Sequence, residues 1–95
     1  MTYANVLTAL ADPTRRHILE SLRAAPRTVS ELAADQPVSR PAVSQHLKVL
    51  AEARLVHVQP RGSRRVYSVR RHGLDELRRQ VFVTVTVAVA AVSPA

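Results

Sequence analysis

TVSELAADQPVSRPAVSQHLKVL, residues 28–50, decides the fold of this chain. Thr28 and Glu31 have the spacing of a capping box: the hydroxyl accepts from the amide three residues on, and the carboxylate reaches back to the first amide. Val29 and Leu32 then face inward. Asp35-Gln36-Pro37 stops this helix, because a residue before proline is pushed out of the helical region. Val38 fills the core at the turn. Ser39 caps a second helix, and Pro41 sits in its first turn, where a missing amide costs little. Val43, Leu47 and Leu50 form its buried stripe, while Pro41, Ser44, Gln45, Lys48 and Glu52 fall on the opposite side. Two short helices joined by a tight turn, the second polar where the core does not need it, make a helix-turn-helix, a scaffold that lays one helix in the DNA major groove.

The flanks extend this pattern. Downstream, Leu55 to Gln59 and Arg64 to Val69 read as strands, with Val56 and Val58 alternating with His57, and Val66 with Tyr67. Gly62 gives the turn between them its freedom. The pair forms a basic hairpin, or wing. Upstream, residues 3–11 read as a short helix with Val6, Leu7 and Leu10 on one face. Asp12-Pro13 restarts the chain as an N-cap and first helical residue, and Ile18, Leu19 and Leu22 line the second helix to about Arg23. His72-Gly73 precedes a last helix with Leu74 and Leu77 apolar and Asp75 and Glu76 in its first turn. The tail is ambiguous: Val81, Val83, Val85, Val87 and Val89 alternate as in a strand, while Val81, Val85, Ala88, Val89 and Val92 satisfy helical spacing. The fold class expected is α+β and mostly helical: a winged helix-turn-helix with a two-stranded β-hairpin wing. Residues 1–80 form the DNA-binding domain, and residues 81–95 an apolar segment for dimerisation or partner binding.

Composition narrows the function. Ninety-five residues make one small domain with a thin core, a size at which pairing is a common source of stability. The absence of cysteine excludes disulfides, thiolate metal sites and a cysteine nucleophile. Net charge is +7, and thirteen of the fourteen basic residues are arginine, whose planar fork suits phosphate and guanine edges. Arg54, Arg61, Arg64, Arg65, Arg70 and Arg71 cluster around the wing with no acid among them. No nucleophile motif, glycine-rich phosphate loop or paired carboxylate site marks an enzyme. No cofactor is implied. No signal peptide is visible, and the uncharged tail is too short to span a bilayer, so a cytoplasmic, nucleoid-associated location without membrane contact is expected. His17, His46, His57 and His72 lie on separate elements without metal-ligand spacing.

The site residues follow from the helix-turn-helix and wing. Arg40, Ser44, Gln45 and Lys48 read bases and phosphates, with Ala42 beside Arg40 near the helix end that enters the groove. Gln45 suits adenine, and Arg40 suits guanine or phosphate. Ser39 is first a cap and can also touch phosphate. His46 borders the buried stripe and either packs or meets phosphate. Arg61, Arg64 and Arg65 grip phosphates or the minor groove. Tyr67 either hydrogen-bonds phosphate or packs the wing against the body.

Three blocks in order, ALADPTRRHILESL, VSELAADQPVSRPAVSQHLKVL and LVHVQPRGSRRVYSV, resemble the ArsR-type family of bacterial winged helix-turn-helix repressors. The resemblance covers residues 6–77 and includes S-x-H-L at Ser44, His46 and Leu47 and G-x-R-R-x-Y from Gly62 to Tyr67. The chain is most similar to a cysteine-free actinobacterial branch. The resemblance implies a homodimer on double-stranded operator DNA, joined through the first and last helices, here Val6, Leu7, Leu10, Leu77, Val81 and Val85. The family's metal-sensing members carry cysteines on the helix equivalent to residues 28–34, or a paired Asp/His set in the last helix; this chain has neither. Its valine-rich tail also departs from the family's charged final helix. Two other readings remain: a ligand- or metal-responsive sensor of the same fold, its inducer unknown, and a winged helix that binds protein rather than DNA.

Overall fold

The computed structural model describes residues 3–92 of the chain. In order along the chain lie α1 (Tyr3–Ala11), α2 (Pro13–Ala24), β1 (Arg27–Thr28), α3 (Val29–Ala34), α4 (Arg40–Glu52), β2 (Val56–Arg61), β3 (Arg64–Val69) and α5 (Arg71–Val92). Every cap expected for the three central helices is formed. Asp12 accepts from the Arg15 amide at 3.0 Å with Pro13 opening α2. Thr28 and Glu31 complete a capping box, at 3.2 Å and 2.9 Å. Ser39 accepts from the Ala42 amide at 3.2 Å. The Arg15 amide holds the Asp12 carboxyl below its ordinary pKa, and the Thr28 amide and hydroxyl do the same for Glu31, helped by Arg27 and Arg64. A lowered folded pKa means that both caps are fully made above the ordinary carboxylate range. The carboxylate contribution to each is lost only as pH falls through the lowered values, while the Thr28 hydroxyl bond does not titrate.

The buried stripes meet in one core. Ile18, Leu19 and Leu22 of α2, Leu32 of α3 and Val43, Leu47 and Leu50 of α4 join Val6, Ala9, Ala53, Leu55 and Val56. Val29, Val38 and Tyr67 pack on its edge. α4 therefore has one side fixed by the core and the other free, which is how the fold presents a helix to a partner. Val6, grouped with Leu7 and Leu10 at the dimer surface by the sequence, is only 2% exposed. It is spent inside its own protomer, which leaves Leu7, 50% exposed, and half-buried Leu10 on that helix.

The wing is wider than the expected two-stranded hairpin. β1 pairs antiparallel with β3, Arg27 opposite Tyr67 and Thr28 opposite Val66, so the sheet has three strands in the order β1-β3-β2. The cap explains this. An N-cap residue takes an extended backbone, here φ −87° and ψ 167° at Thr28, and extended backbone can pair. β2 and β3 close through Gly62-Ser63, with Arg61 opposite Arg64. Gly62, at φ +64°, occupies the first of the two turn positions, as a type II′ turn requires. Pro60 lies within β2 at the sheet edge, where a missing donor is tolerated.

The end of α4 uses a left-handed residue that is not glycine. Arg54 has φ 60°, its amide bonds the Ala51 carbonyl at 3.0 Å, and the Leu55 amide bonds the Leu50 carbonyl at 3.0 Å. This is a Schellman motif, with buried Leu50 and Leu55 as its apolar pair. The left-handed conformation costs an L-residue about 1–2 kcal/mol, part of which glycine returns as chain entropy. Arg54→Gly is expected to stabilise the domain by about 0.5–1 kcal/mol. A urea midpoint that rises with an unchanged slope checks it; a lower midpoint contradicts it.

α5 differs from its expected start. It begins at Arg71, two residues before Gly73, so Asp75 and Glu76 fall outside its first turn, which holds no acid. It then runs unbroken across residues 80 and 81 to Val92, which resolves the tail as helix rather than strand. A lone strand would leave its backbone unpaired, whereas a helix already nucleated at Arg71 extends with every amide satisfied. The side chain of Leu77, expected at a dimer surface, lies outside the described residues, as do residues 93–95. No helix among the described residues is long and apolar enough to cross a membrane.

Candidate nucleic-acid interface

α4 presents the residues expected to meet DNA. Arg40, Ser44, Gln45 and Lys48 are exposed, Ala42 is half-buried beside them, and Ser39 is exposed at the cap. Arg40 is the first helical residue, at the positive end of the helix dipole, where an anion is favoured. Arg61, Arg64 and Arg65 are exposed at the wing tip, held by the β2–β3 ladder.

The sheet brings the two groups together. Arg40, Arg64 and Arg65 line one open cleft of about 330 Å³, with Thr28, Val29, Ser30, Glu31 and Ser63 completing its wall. Three arginines and three hydroxyl-bearing residues line it together. The only carboxylate among those eight residues, Glu31, accepts from the Thr28 amide. The cleft therefore carries a net positive charge and several donors, an arrangement complementary to phosphate. The convergence depends on β1, since pairing of Thr28 with Val66 draws the start of α3 onto the wing.

Two of the expected residues make contacts within the protomer. Tyr67 packs against the core edge, the packing alternative of its two readings. His46 is half-buried, and its Nδ1 lies 3.4 Å from Nη1 of Arg15. Arg15 and Arg16 are the site's neighbours that sequence reasoning missed. Arg15 donates from Nε to the Ala9 carbonyl at 2.7 Å and from Nη2 to the Thr8 carbonyl at 3.0 Å. Arg16 donates to the carbonyls of Leu10 and Ala11 at 2.8 and 3.3 Å. Those are the last four carbonyls of α1, the ones a helix cannot satisfy itself. The demand was visible in the sequence: no glycine follows Ala11 to form a cap, and Asp12-Pro13 opens the next helix at once.

A second surface lies on α5. Val81, Phe82, Val83, Val85, Val87 and Val89 are 44–71% exposed. Val81, Val85 and Val89 share one face at i, i+4 spacing, with Val83 and Val87 on another. Among the described residues, no group of three or more histidines, aspartates and glutamates is placed to hold a metal ion.

Comparison with known proteins agrees with this architecture. Residues 12–58 match the family described as bacterial regulatory protein, arsR family. Over 70 residues the chain is 63% identical to the HTH-type transcriptional regulator Rv2034 of Mycobacterium tuberculosis, a match covering 74% of this chain and 65% of that one. The transcriptional repressor SdpR of Bacillus subtilis is 35% identical, with 68% of this chain and 72% of that one covered. Among solved structures, a possible transcriptional regulator for arsenical resistance superposes with a TM-score of 0.76 at 38% identity, covering 93% of this chain and 96% of that one. A homodimeric winged helix-turn-helix DNA-binding domain, Mb0332 of Mycobacterium bovis, superposes with a TM-score of 0.70 at 28% identity, covering 93% and 80%. With its capped helix-turn-helix, its basic wing and these relatives, the chain belongs to the arsR family of bacterial regulatory proteins and has their winged helix-turn-helix fold.

Proposed function

We propose that this chain is a transcriptional repressor that binds a partly palindromic promoter operator as a homodimer and blocks transcription by occupying it. The observation that carries the reading is the convergence of Arg40 with Arg64 and Arg65 in one cationic cleft beside the exposed polar side of α4. In this reading, Arg40 and the wing arginines hold phosphates and fix the register. Ser44, Gln45 and Lys48 lie against the bases. The exposed apolar side chains of α5, with Leu7 and Leu10 of α1, form the dimer surface. Two copies then place their α4 helices in successive major grooves. Residues 1–80 supply DNA binding and residues 81–95 the association segment, though one helix spans the boundary. A bound operator places the protein in the cytoplasm, on the nucleoid.

Base reading by Gln45 gives the sharpest test. Gln45→Ala is expected to cost about tenfold in discrimination at one position of each half-site. It should leave affinity for scrambled duplex and its salt dependence unchanged. Competition titrations with single-position operator variants measure this. A uniform loss over all sequences would make Gln45 a backbone contact and remove it from the specificity set.

A further inference from the structure

We propose that Arg15 and His46 form a positioning brace that locks α4 to the C-terminal end of α1, so that the groove-facing helix is set by the helix that joins the dimer. The inference rests on the reading of α4 as the recognition helix and α1 as part of the dimer surface. Arg15 uses all three guanidinium nitrogens. Nε and Nη2 hold the Ala9 and Thr8 carbonyls of α1, and Nη1 faces His46 Nδ1 on α4. The guanidinium is planar and rigid, so fixing two nitrogens on α1 fixes the direction of the third. His46 directly follows Gln45 and directly precedes buried Leu47, between the base-facing side and the core. A shift of His46 therefore moves Gln45.

The brace is sensitive to protonation. Arginine only donates and does not lose its proton in proteins, so His46 Nδ1 must be the bare nitrogen and Nε2 must carry the hydrogen. An imidazolium would turn an N–H and a positive charge toward the guanidinium, and the contact would open. Of the charged groups near the ring, α2 contributes Arg15, and Asp12, its N-cap, interacts electrostatically with His46. α1 contributes no charged side chain, its sequence being YANVLTALA. Asp12 accepts from the Arg15 amide through one oxygen and stands as a counter-charge to an imidazolium.

The experiment measures binding to a selected operator and to scrambled duplex from pH 8 to pH 5.5 at constant ionic strength. Full-length wild type is compared with His46→Gln, whose side-chain oxygen can accept from Arg15 at every pH. The wild-type specificity ratio is expected to fall about tenfold on acidification, the value of one lost charge-assisted hydrogen bond, while His46→Gln stays flat. Nitrogen NMR of the His46 ring, recorded without DNA, should show Nδ1 bare and Nε2 protonated at pH 8. Parallel pH profiles for the two proteins would overturn the brace. So would a His46-dependent tightening at low pH, the mark of direct phosphate contact, or an Nδ1–H tautomer. Failure to distinguish operator from scrambled duplex at pH 8 would instead defeat the operator reading, and the tautomer would still decide the brace.

Discussion

Replacing Arg40, Arg64 and Arg65 together with alanine is expected to weaken binding to every duplex, operator or scrambled, by more than about a hundredfold near physiological salt. Each phosphate contact contributes about 0.9 to the slope of log affinity against log salt, so six contacts in a dimer remove roughly five from that slope. The effect should be shared by all sequences, because phosphate contacts position a protein without reading bases. The fold should survive. All three side chains are exposed, and none belongs to the core cluster. A salt titration beside a thermal melt tests both halves. An unchanged slope with a normal melt would show that the cleft does not face the phosphate backbone.

The second large effect concerns association. Val85→Glu with Val89→Glu is expected to give a folded monomer whose operator affinity falls to the level of scrambled duplex. Val85 and Val89 are 55% and 58% exposed in the protomer, so the charges cost the isolated fold little. Glutamate is also the better helix former. Within a closed dimer surface the same charges would be buried without partners, at several kcal/mol each. A monomer has one recognition helix and loses the second half-site, hence the collapse of specificity. Mass measurement in solution gives the answer directly. A dimer that persists would place the interface elsewhere on the molecule and leave the valine face for another protein.

Local chemistry made much of this molecule legible in its sequence. Asp12, Thr28 and Ser39 announced three helix starts, because a cap is a short-range hydrogen bond between residues three apart. Val43, Leu47 and Leu50 announced the orientation of α4, because helical spacing alone decides which side chains share a face. What required the structure was long-range. Pairing of Thr28 with Val66 joins residues almost forty positions apart, and no local pattern marks a two-residue strand. The convergence of Arg40 with the wing arginines depends on that pairing. The reach of Arg15 from α2 to His46 spans 31 residues and is set by tertiary packing. Val6 shows the opposite error: it shares a helix with Leu7, yet a turn of one residue separates a core position from a surface one. The tail was undecidable locally, because valine favours strands while the backbone it continues from is helical.

The central claim is that two copies of this chain read one operator together. Selection of bound duplexes from a random pool, with the mass of the protein–DNA complex recorded, tests it most directly. The expected result is a partly palindromic consensus whose half-sites lie about one helical turn apart, bound by two protomers, with a specificity ratio of about 10³ or more over scrambled duplex. A pool that remains random, or a single half-site bound by one protomer, would contradict it.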